Sequence, residues 1–287
     1  MRPTLVWLLR PLLLLVLPLV ACATPPTKDD RPVVNDSGLT PSRPANGTLP
    51  TLWLAGDSTV NIGAPKGERP MRGWGQELNE FIDPTKINLV NRAIGGRSSR
   101  TFFTEGRWQK ILDDLRPGDW VLIQFGHNDV GHLDARSKYR GSLKSIGDET
   151  EDVTLADGSI ETVRSYGWYL KTFARTAREK GANVVLCSPI PHKDYVNDWA
   201  QWRGWVEASA RAEQAYYLDL CELIRRGYTQ LTAADIEAFF ADARTHTTID
   251  GARFNARALV SGLRALPGAP LDEYLSAAGR EIPAASP

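Results

Sequence analysis

The sequence predicts an α/β fold, a three-layer α/β/α sandwich in which helices cover both faces of a parallel sheet. Five short segments are apolar and rich in β-branched or aromatic residues, as strands buried on both faces are. Stretches with helical patterning separate these segments, and strands that alternate with helices form parallel sheets. The length of 287 residues suits one sizeable domain of this kind.

The predicted strands are Thr51–Ala55, Ile87–Asn91, Trp120–Phe125, Val184–Cys187 and Tyr216–Leu220. The predicted helices are Gly75–Phe81, Arg107–Leu115, Trp168–Lys180, Trp202–Ala215 and Gly251–Leu266. In the last of them, apolar residues recur at spacings of four and three, which places them on one helix face. Between the third strand and the third helix, Asp157-Gly158 is a two-residue turn that predicts a β-hairpin on the rim of the sheet.

Composition excludes some classes of function. The chain has 34 basic and 34 acidic residues, so no net field attracts nucleic acid, and we predict no nucleic-acid partner. The hydrophobic share of 42% and the charged share of 24% are typical of a globular protein. Cys187 and Cys221 lie in or beside apolar runs, and we expect buried thiols, although an exported protein could also pair them in a disulfide.

The N-terminus predicts export. Residues 1–21 combine a basic start with a short apolar core, as secretory signals do. Leu19-Val20-Ala21-Cys22 resembles a bacterial lipobox, which implies cleavage before Cys22, lipidation of that residue and attachment to a membrane. With no aspartate after Cys22, such a lipoprotein is expected in the outer membrane, facing the periplasm or the cell surface. The alternative is a plain signal peptide with an incidental cysteine.

The rest of the chain divides into three segments. Residues 22–50 are rich in Pro, Thr, Ser, Asn and Asp and predict a flexible tether, because they cannot bury enough apolar area to become ordered. Residues 51–270 form the predicted domain, and residues 271–287 are expected to be a loosely ordered tail.

Candidate catalytic groups follow successive strands. Ser58 lies in Gly56-Asp57-Ser58-Thr59 after the first strand, Gly96 follows the second, and Asn128 follows the third. The carboxyl ends of neighbouring parallel strands meet at one edge of a sheet, where ligands bind. His246 precedes the final helix and can accept the proton of a serine nucleophile. Taken singly, these residues could be a turn serine, a loop glycine, a cap and a structural histidine; together and in order they indicate a serine esterase.

These motifs identify the chain as a member of the SGNH, or GDSL-like, hydrolases. Among these it is most similar to rhamnogalacturonan acetylesterases, through Leu54–Thr59, Ala93–Ser98, Phe102–Arg107, Phe125–Asp129 and Thr245–Thr247. The resemblance implies a flavodoxin-like sandwich, a Ser-His-Asp triad and no metal or other cofactor. It also implies an oxyanion hole formed by the Ser58 N–H, the Gly96 N–H and the side-chain amide of Asn128.

One position departs from the family pattern. The family usually has an aspartate three residues before the histidine, where this chain has Ala243. Asp242, four residues before His246, is therefore the predicted triad acid. The alternative is that Asp242 is a solvated loop residue and that a backbone carbonyl orients His246.

The resemblance implies a substrate as well. We expect an acetylated plant cell-wall polysaccharide, most closely rhamnogalacturonan or another pectin, with xylan, a bacterial glycan or a lipid ester as alternatives. A surface-anchored glycan-binding protein with an inactive site is the alternative from another class. Candidate substrate-binding residues are His127, Arg97, Trp199 and Trp202, with Arg100, Lys138 and Lys193 as further cations for an acidic glycan. The tryptophans could equally pack the following helix.

Overall fold

A computed structural model describes residues 44–62, 70–195 and 199–286. The predicted signal segment and Cys22 lie outside the described residues. The central sheet is built from β1 (Thr51–Gly56), β2 (Asn88–Asn91), β3 (Trp120–Gln124), β6 (Asn183–Cys187) and β7 (Tyr216–Leu218). Its strand order is β2-β1-β3-β6-β7, and every neighbouring pair is parallel. The predicted five-stranded parallel sheet is therefore confirmed.

The sheet separates two layers of helices. The helices are α1 (Trp74–Glu77), α2 (Ser99–Thr104), α3 (Arg107–Asp114), α4 (Tyr166–Glu179), α5 (Ala200–Ala212), α6 (Leu220–Tyr228), α7 (Ala233–Phe239), α8 (Ile249–Ala265) and α9 (Ala277–Glu281). One layer packs α1, α6 and α7 around α8, and the other packs α2, α3 and α5 around α4. The prediction of a three-layer sandwich is thus confirmed.

Successive residues of β1 face opposite layers. Leu52 and Leu54 belong to the core beneath α8, whereas Trp53 and Ala55 belong to the core beneath α4. This alternation follows from the two-residue period of a strand. It explains why the strand is apolar throughout rather than at every second residue.

Several elements differ from the prediction. The last strand ends at Leu218 instead of Leu220, because the Asp219 carboxylate accepts the Glu222 N–H and starts α6. Helices α2, α6, α7 and α9 were not predicted. The hairpin is confirmed as β4 (Thr150–Thr154) paired antiparallel with β5 (Ile160–Arg164).

The expectation of a loosely ordered tail over residues 271–287 is wrong for its described part. Leu271, Leu275 and Ile282 are buried in the core beneath α8. Leu275 also forms a β-bridge with Ile82. The end of the predicted tether is ordered as well, since the Asn46 N–H donates to Asn88 Oδ1 at 2.9 Å.

Cys187 and Cys221 are buried and are not joined in a disulfide, as expected. Burial raises the pKa of the Cys187 thiol well above its ordinary value. Within the described ranges, no helix has both the length and the apolar character needed to cross a bilayer.

Candidate active site

The turn after β1 presents Ser58. A Cβ atom on Gly56 would lie 2.5 Å from Val60 Cγ2 and 2.7 Å from the Gln124 carbonyl, so only glycine fits there. Asp57 is fully buried, and its Oδ1 accepts the Thr59 N–H at 2.8 Å and the Thr59 hydroxyl at 2.7 Å. These bonds close the turn and leave the Ser58 hydroxyl facing the loop before α8.

Ser58 and His246 are hydrogen-bonded. Ser58 Oγ lies 2.9 Å from His246 Nε2, across 188 residues of sequence. His246 Nδ1 lies 2.5 Å from Asp242 Oδ2. With Nδ1 protonated, Nε2 is free to accept the serine proton, which is the arrangement of a serine nucleophile and its base.

Asp242 is fixed by its own loop. Its Oδ1 accepts the N–H groups of Arg244, Thr245 and His246 at 2.9, 2.7 and 3.1 Å. The loop is closed at its base, where the Ala241 N–H donates to the His246 carbonyl at 2.8 Å. Burial alone would raise the pKa of Asp242, but these N–H groups and the His246 ring outweigh it and lower the pKa to about 2. The carboxylate is therefore ionised throughout the neutral range.

Two of the predicted oxyanion groups, Gly96 and Asn128, lie in the loops that follow β2 and β3, the strands on either side of β1. A Cβ atom on Gly95 would lie 3.6 Å from Ser58 Cβ, which puts the Gly95-Gly96 turn against the serine. Gly96 has a φ of +78°, a conformation that favours glycine. Among the described residues, the Ser58 and Gly96 N–H groups have no hydrogen-bond acceptor. Asn128 Nδ2 donates one hydrogen to the Arg97 carbonyl at 3.0 Å and keeps its second hydrogen for a ligand.

The family model for GDSL-like lipases and acylhydrolases matches residues 54–254 of the chain. The chain belongs to this family. It is accordingly a carboxylic ester hydrolase, and the recognition of its motifs as those of the family is confirmed.

Within this family, the chain is similar to several curated proteins. The hydrolase is 33% identical to the rhamnogalacturonan acetylesterase of Emericella nidulans, over 74% of this chain and 84% of the relative. It is 33% identical to the probable rhamnogalacturonan acetylesterase YesY of Bacillus subtilis, over 78% of this chain and 96% of the relative. The crystal structure of the Bacillus subtilis protein YxiM superposes with a TM-score of 0.61 at 26% identity, covering 76% of this chain and 56% of that one.

The predicted substrate-binding residues have mixed positions in the hydrolase. Trp202 is only 9% exposed and packs against Tyr166 at 4.8 Å between ring centroids, so it belongs to the core beneath α4 and not to a binding surface. Trp199 is half-buried, and its ring lies 4.9 Å from that of His127. The prediction of a substrate-binding role is therefore wrong for Trp202 and stays a prediction for Trp199. The two residues differ because α5 begins between them, at Ala200.

His127 points its ring nitrogens at protein atoms. Nε2 lies 3.1 Å from the Ile190 carbonyl, and Nδ1 lies 3.7 Å from Oδ2 of the buried Asp57. The ring also contacts His192 at 5.1 Å between centroids. Burial, followed by smaller electrostatic effects that include the nearby Arg244, lowers the pKa of His192 to about 3, so His192 is neutral. The rings of His127, His192 and Trp199 contact one another and form an aromatic wall in this part of the site.

Most of the cations proposed from sequence already have partners. Arg100 is fully buried, and its guanidinium makes paired bonds of 2.7 and 3.0 Å to the two carboxylate oxygens of Glu161 on β5. Arg97 is bonded to Glu105 at 3.0 Å, and Lys193 to Glu237 at 2.9 Å. Arg100 therefore anchors the hairpin and is not a contact for a glycan.

Sequence reasoning missed Arg140. Its Nη1 donates to Asn128 Oδ1 at 3.3 Å, and so it touches one of the predicted oxyanion groups. No motif marks it, because it lies in a loop whose path is set by distant contacts. In the described part of the chain, no three His, Cys, Asp or Glu side chains are grouped as a metal site would require.

Proposed function

We propose that this hydrolase removes acetyl groups from an acetylated pectic polysaccharide of plant cell walls, most closely rhamnogalacturonan. The observation that carries the proposal is the continuous chain Ser58–His246–Asp242, with bonds of 2.9 and 2.5 Å. The names of the two curated relatives, each matched over most of its length, support acetyl groups on rhamnogalacturonan as the substrate.

The chemistry begins at Ser58. His246 Nε2 takes the hydroxyl proton while Oγ attacks the acetyl carbonyl carbon. The negative charge on the carbonyl oxygen is stabilised by the N–H groups of Ser58 and Gly96 and by Asn128 Nδ2. The tetrahedral intermediate expels the sugar oxygen, which receives the proton from His246, and an acetyl-serine ester is left on the enzyme.

Water completes the cycle. His246 takes a proton from the attacking water, a second tetrahedral intermediate forms, and its collapse releases acetic acid and returns the proton to Ser58 Oγ. Asp242 stays ionised throughout and stabilises the His246 imidazolium that forms in each half of the reaction.

Acetate release tests the proposal. Wild type and Ser58→Ala are compared on acetylated rhamnogalacturonan, acetylated xylan and 4-nitrophenyl acetate, with Ser159→Ala in the exposed hairpin turn as the matched control. We expect the Ser58 variant to lose at least about 1000-fold in kcat, as serine hydrolases do without their nucleophile. Release from xylan as efficient as that from rhamnogalacturonan would overturn the pectic substrate, and no release from any of the esters would overturn the enzymatic function.

We also propose that the mature protein is an outer-membrane lipoprotein anchored through Cys22. The support is the sequence alone, namely Leu19-Val20-Ala21-Cys22 after a short apolar core. The mass of the mature N-terminus tests it, and Cys22→Ser is the variant that should release the protein from membranes. An unmodified Cys22 in the mature protein would refute lipid anchoring.

A further inference from the structure

Arg140 lies over the predicted oxyanion donors. A Cβ atom on Gly96 would lie 3.1 Å from Arg140 Nη2 and 3.3 Å from its Cζ, so the guanidinium covers the open face of that glycine. Its Nη1 donates to Asn128 Oδ1 at 3.3 Å. Because Gly95 is in turn against Ser58, the cation stands at the edge of the space where an acetyl ester must bind.

The backbone before Arg140 is held in an unusual conformation. Lys138 and Tyr139 have φ values of 55° and 57°, which non-glycine residues adopt rarely. The loop is tied back by the Gly141 N–H, which donates to the His132 carbonyl at 3.1 Å, and by two carbonyls that accept Arg100 Nη1 at 2.9 Å. Left-handed residues persist where surrounding contacts enforce them, and they cluster at functional sites.

Arg140 has no carboxylate partner among the residues that the structure describes. Its neighbours in sequence and space differ, since Arg136 is paired with Asp134 at 2.7 Å and Arg97 with Glu105 at 3.0 Å. Arg140 is half-buried, and within the described ranges its one side-chain hydrogen bond is to the neutral amide oxygen of Asn128. Partial burial removes water from the guanidinium, and this desolvation costs free energy when no counter-ion is present. An anionic ligand that pairs with the guanidinium would offset that cost.

We propose that Arg140 binds the carboxylate of a uronic acid beside the acetylated hydroxyl, and thereby makes the enzyme selective for acidic polysaccharides. The inference rests on the proposed function and deepens it by naming the group that recognises the sugar. A planar guanidinium pairs with a carboxylate through two parallel N–H bonds, and Arg140 has Nη2 and Nε available for them. A neutral sugar such as xylose offers no partner for this charge.

The test pairs a substrate change with a residue change. Acetylated galacturonan oligosaccharides are prepared with free carboxylates and as methyl esters, and kcat/KM is measured for both with wild type, Arg140→Gln and Arg140→Lys. We expect wild type to prefer the free acid by about 10- to 100-fold, the range of a hydrogen bond to a charged group, with the difference mainly in KM. In Arg140→Gln the ratio should fall to near one, and Arg140→Lys should keep part of it.

Controls separate the two proposals. Arg136→Gln removes an exposed arginine four residues away and should keep the wild-type ratio. A wild-type enzyme that hydrolyses the acid and the methyl ester equally, or an Arg140→Gln enzyme that keeps the full ratio, would overturn the role of Arg140. A fall in kcat on both substrates with the ratio kept would show that Arg140 only positions Asn128.

No acetate from either oligosaccharide or from 4-nitrophenyl acetate would instead overturn the proposed function. If Arg140→Gln fails to fold, the wild-type ratio and Arg140→Lys still decide.

Discussion

Asp242 Oδ2 lies 2.5 Å from His246 Nδ1, although the two residues are separated by one position more than is usual in the family. The extra residue is accommodated because Asp242 Oδ1 collects three consecutive backbone N–H groups while Oδ2 reaches the ring. Ala243, at the usual position of the acid, is exposed and lines a groove with Lys193 and Arg244.

Replacing the acid tests this geometry. Asp242→Asn should lower kcat by about 100- to 10,000-fold, because a neutral amide no longer stabilises the His246 imidazolium or holds its tautomer. The loop bonds to Oδ1 can persist, so the thermal midpoint should change little. Initial rates on 4-nitrophenyl acetate and a melting curve measure the two effects.

A double variant that moves the carboxylate to residue 243, the usual position of the acid in the family, is the matched control. In Asp242→Ala/Ala243→Asp, the carboxylate moves to the residue that faces the groove, and we expect no recovery over Asp242→Ala alone. Recovery of wild-type kcat in the double variant would contradict the pairing of Asp242 with His246.

Gly96 tests the oxyanion hole. In Gly96→Ala the new methyl meets Arg140 at 3.1 Å and the φ of +78° is strained, so the N–H should shift. We expect kcat to fall at least about tenfold with a smaller change in KM, because the N–H acts on the transition state. Gly106→Ala is the control, since Gly106 has a φ of +69° but nothing within 4 Å of its Cβ position. Both variants should lose about 1–2 kcal/mol of stability, and a kcat loss shared by Gly106→Ala would contradict the assignment.

Asp129 makes stability depend on pH. Burial raises its pKa to about 6, against the lowering effect of bonds from Ser99 and Ser142. Between the unfolded value near 4 and 6, the folded state holds a proton that the unfolded state has lost, so this group stabilises the fold less as pH rises. We therefore expect the free energy of unfolding of wild type, minus that of Asp129→Asn, to be larger at pH 4.5 than at pH 7. Urea unfolding of both proteins at the two pH values measures this difference.

Asp134 is the control, because its pKa is lowered in the folded protein whereas that of Asp129 is raised. Its bonds to Arg136 lower its pKa to about 2, so it is ionised over the whole interval in the folded protein. Asp134→Asn should therefore show little pH-dependent difference from wild type between pH 4.5 and 7. A pH dependence in Asp134→Asn as large as that in Asp129→Asn would argue against the burial of Asp129 as its cause.

The C-terminal segment contributes to the core. Ile282 is 3% exposed, and Ile282→Ala should cost about 2–5 kcal/mol of unfolding free energy. Ile160 is 70% exposed on the hairpin, so Ile160→Ala should change stability by less than about 0.5 kcal/mol. Denaturant unfolding measures both, and equal effects would mean that residues 271–286 do not pack as described.

The sequence by itself determined the sheet, the family and the residues placed at the strand ends. Buried strands such as Trp120–Gln124 are marked by their own apolar and β-branched composition. Ser58, Gly96 and Asn128 follow strands that are neighbours, and parallel strands bring such residues to one edge whatever the details of packing. These inferences need only local patterns and one topological rule.

Only the tertiary structure decided how long-range partners are matched. Whether Asp242 or a carbonyl faces His246, whether Arg100 meets a glycan or Glu161, and whether Ile282 is buried depend on contacts between distant segments. Arg140 shows this most clearly, because its sequence neighbours carry no motif, and the loop that aims it is held by Arg100 and His132. Charge pairing and burial depend on positions in space, and no periodicity in the chain encodes those positions.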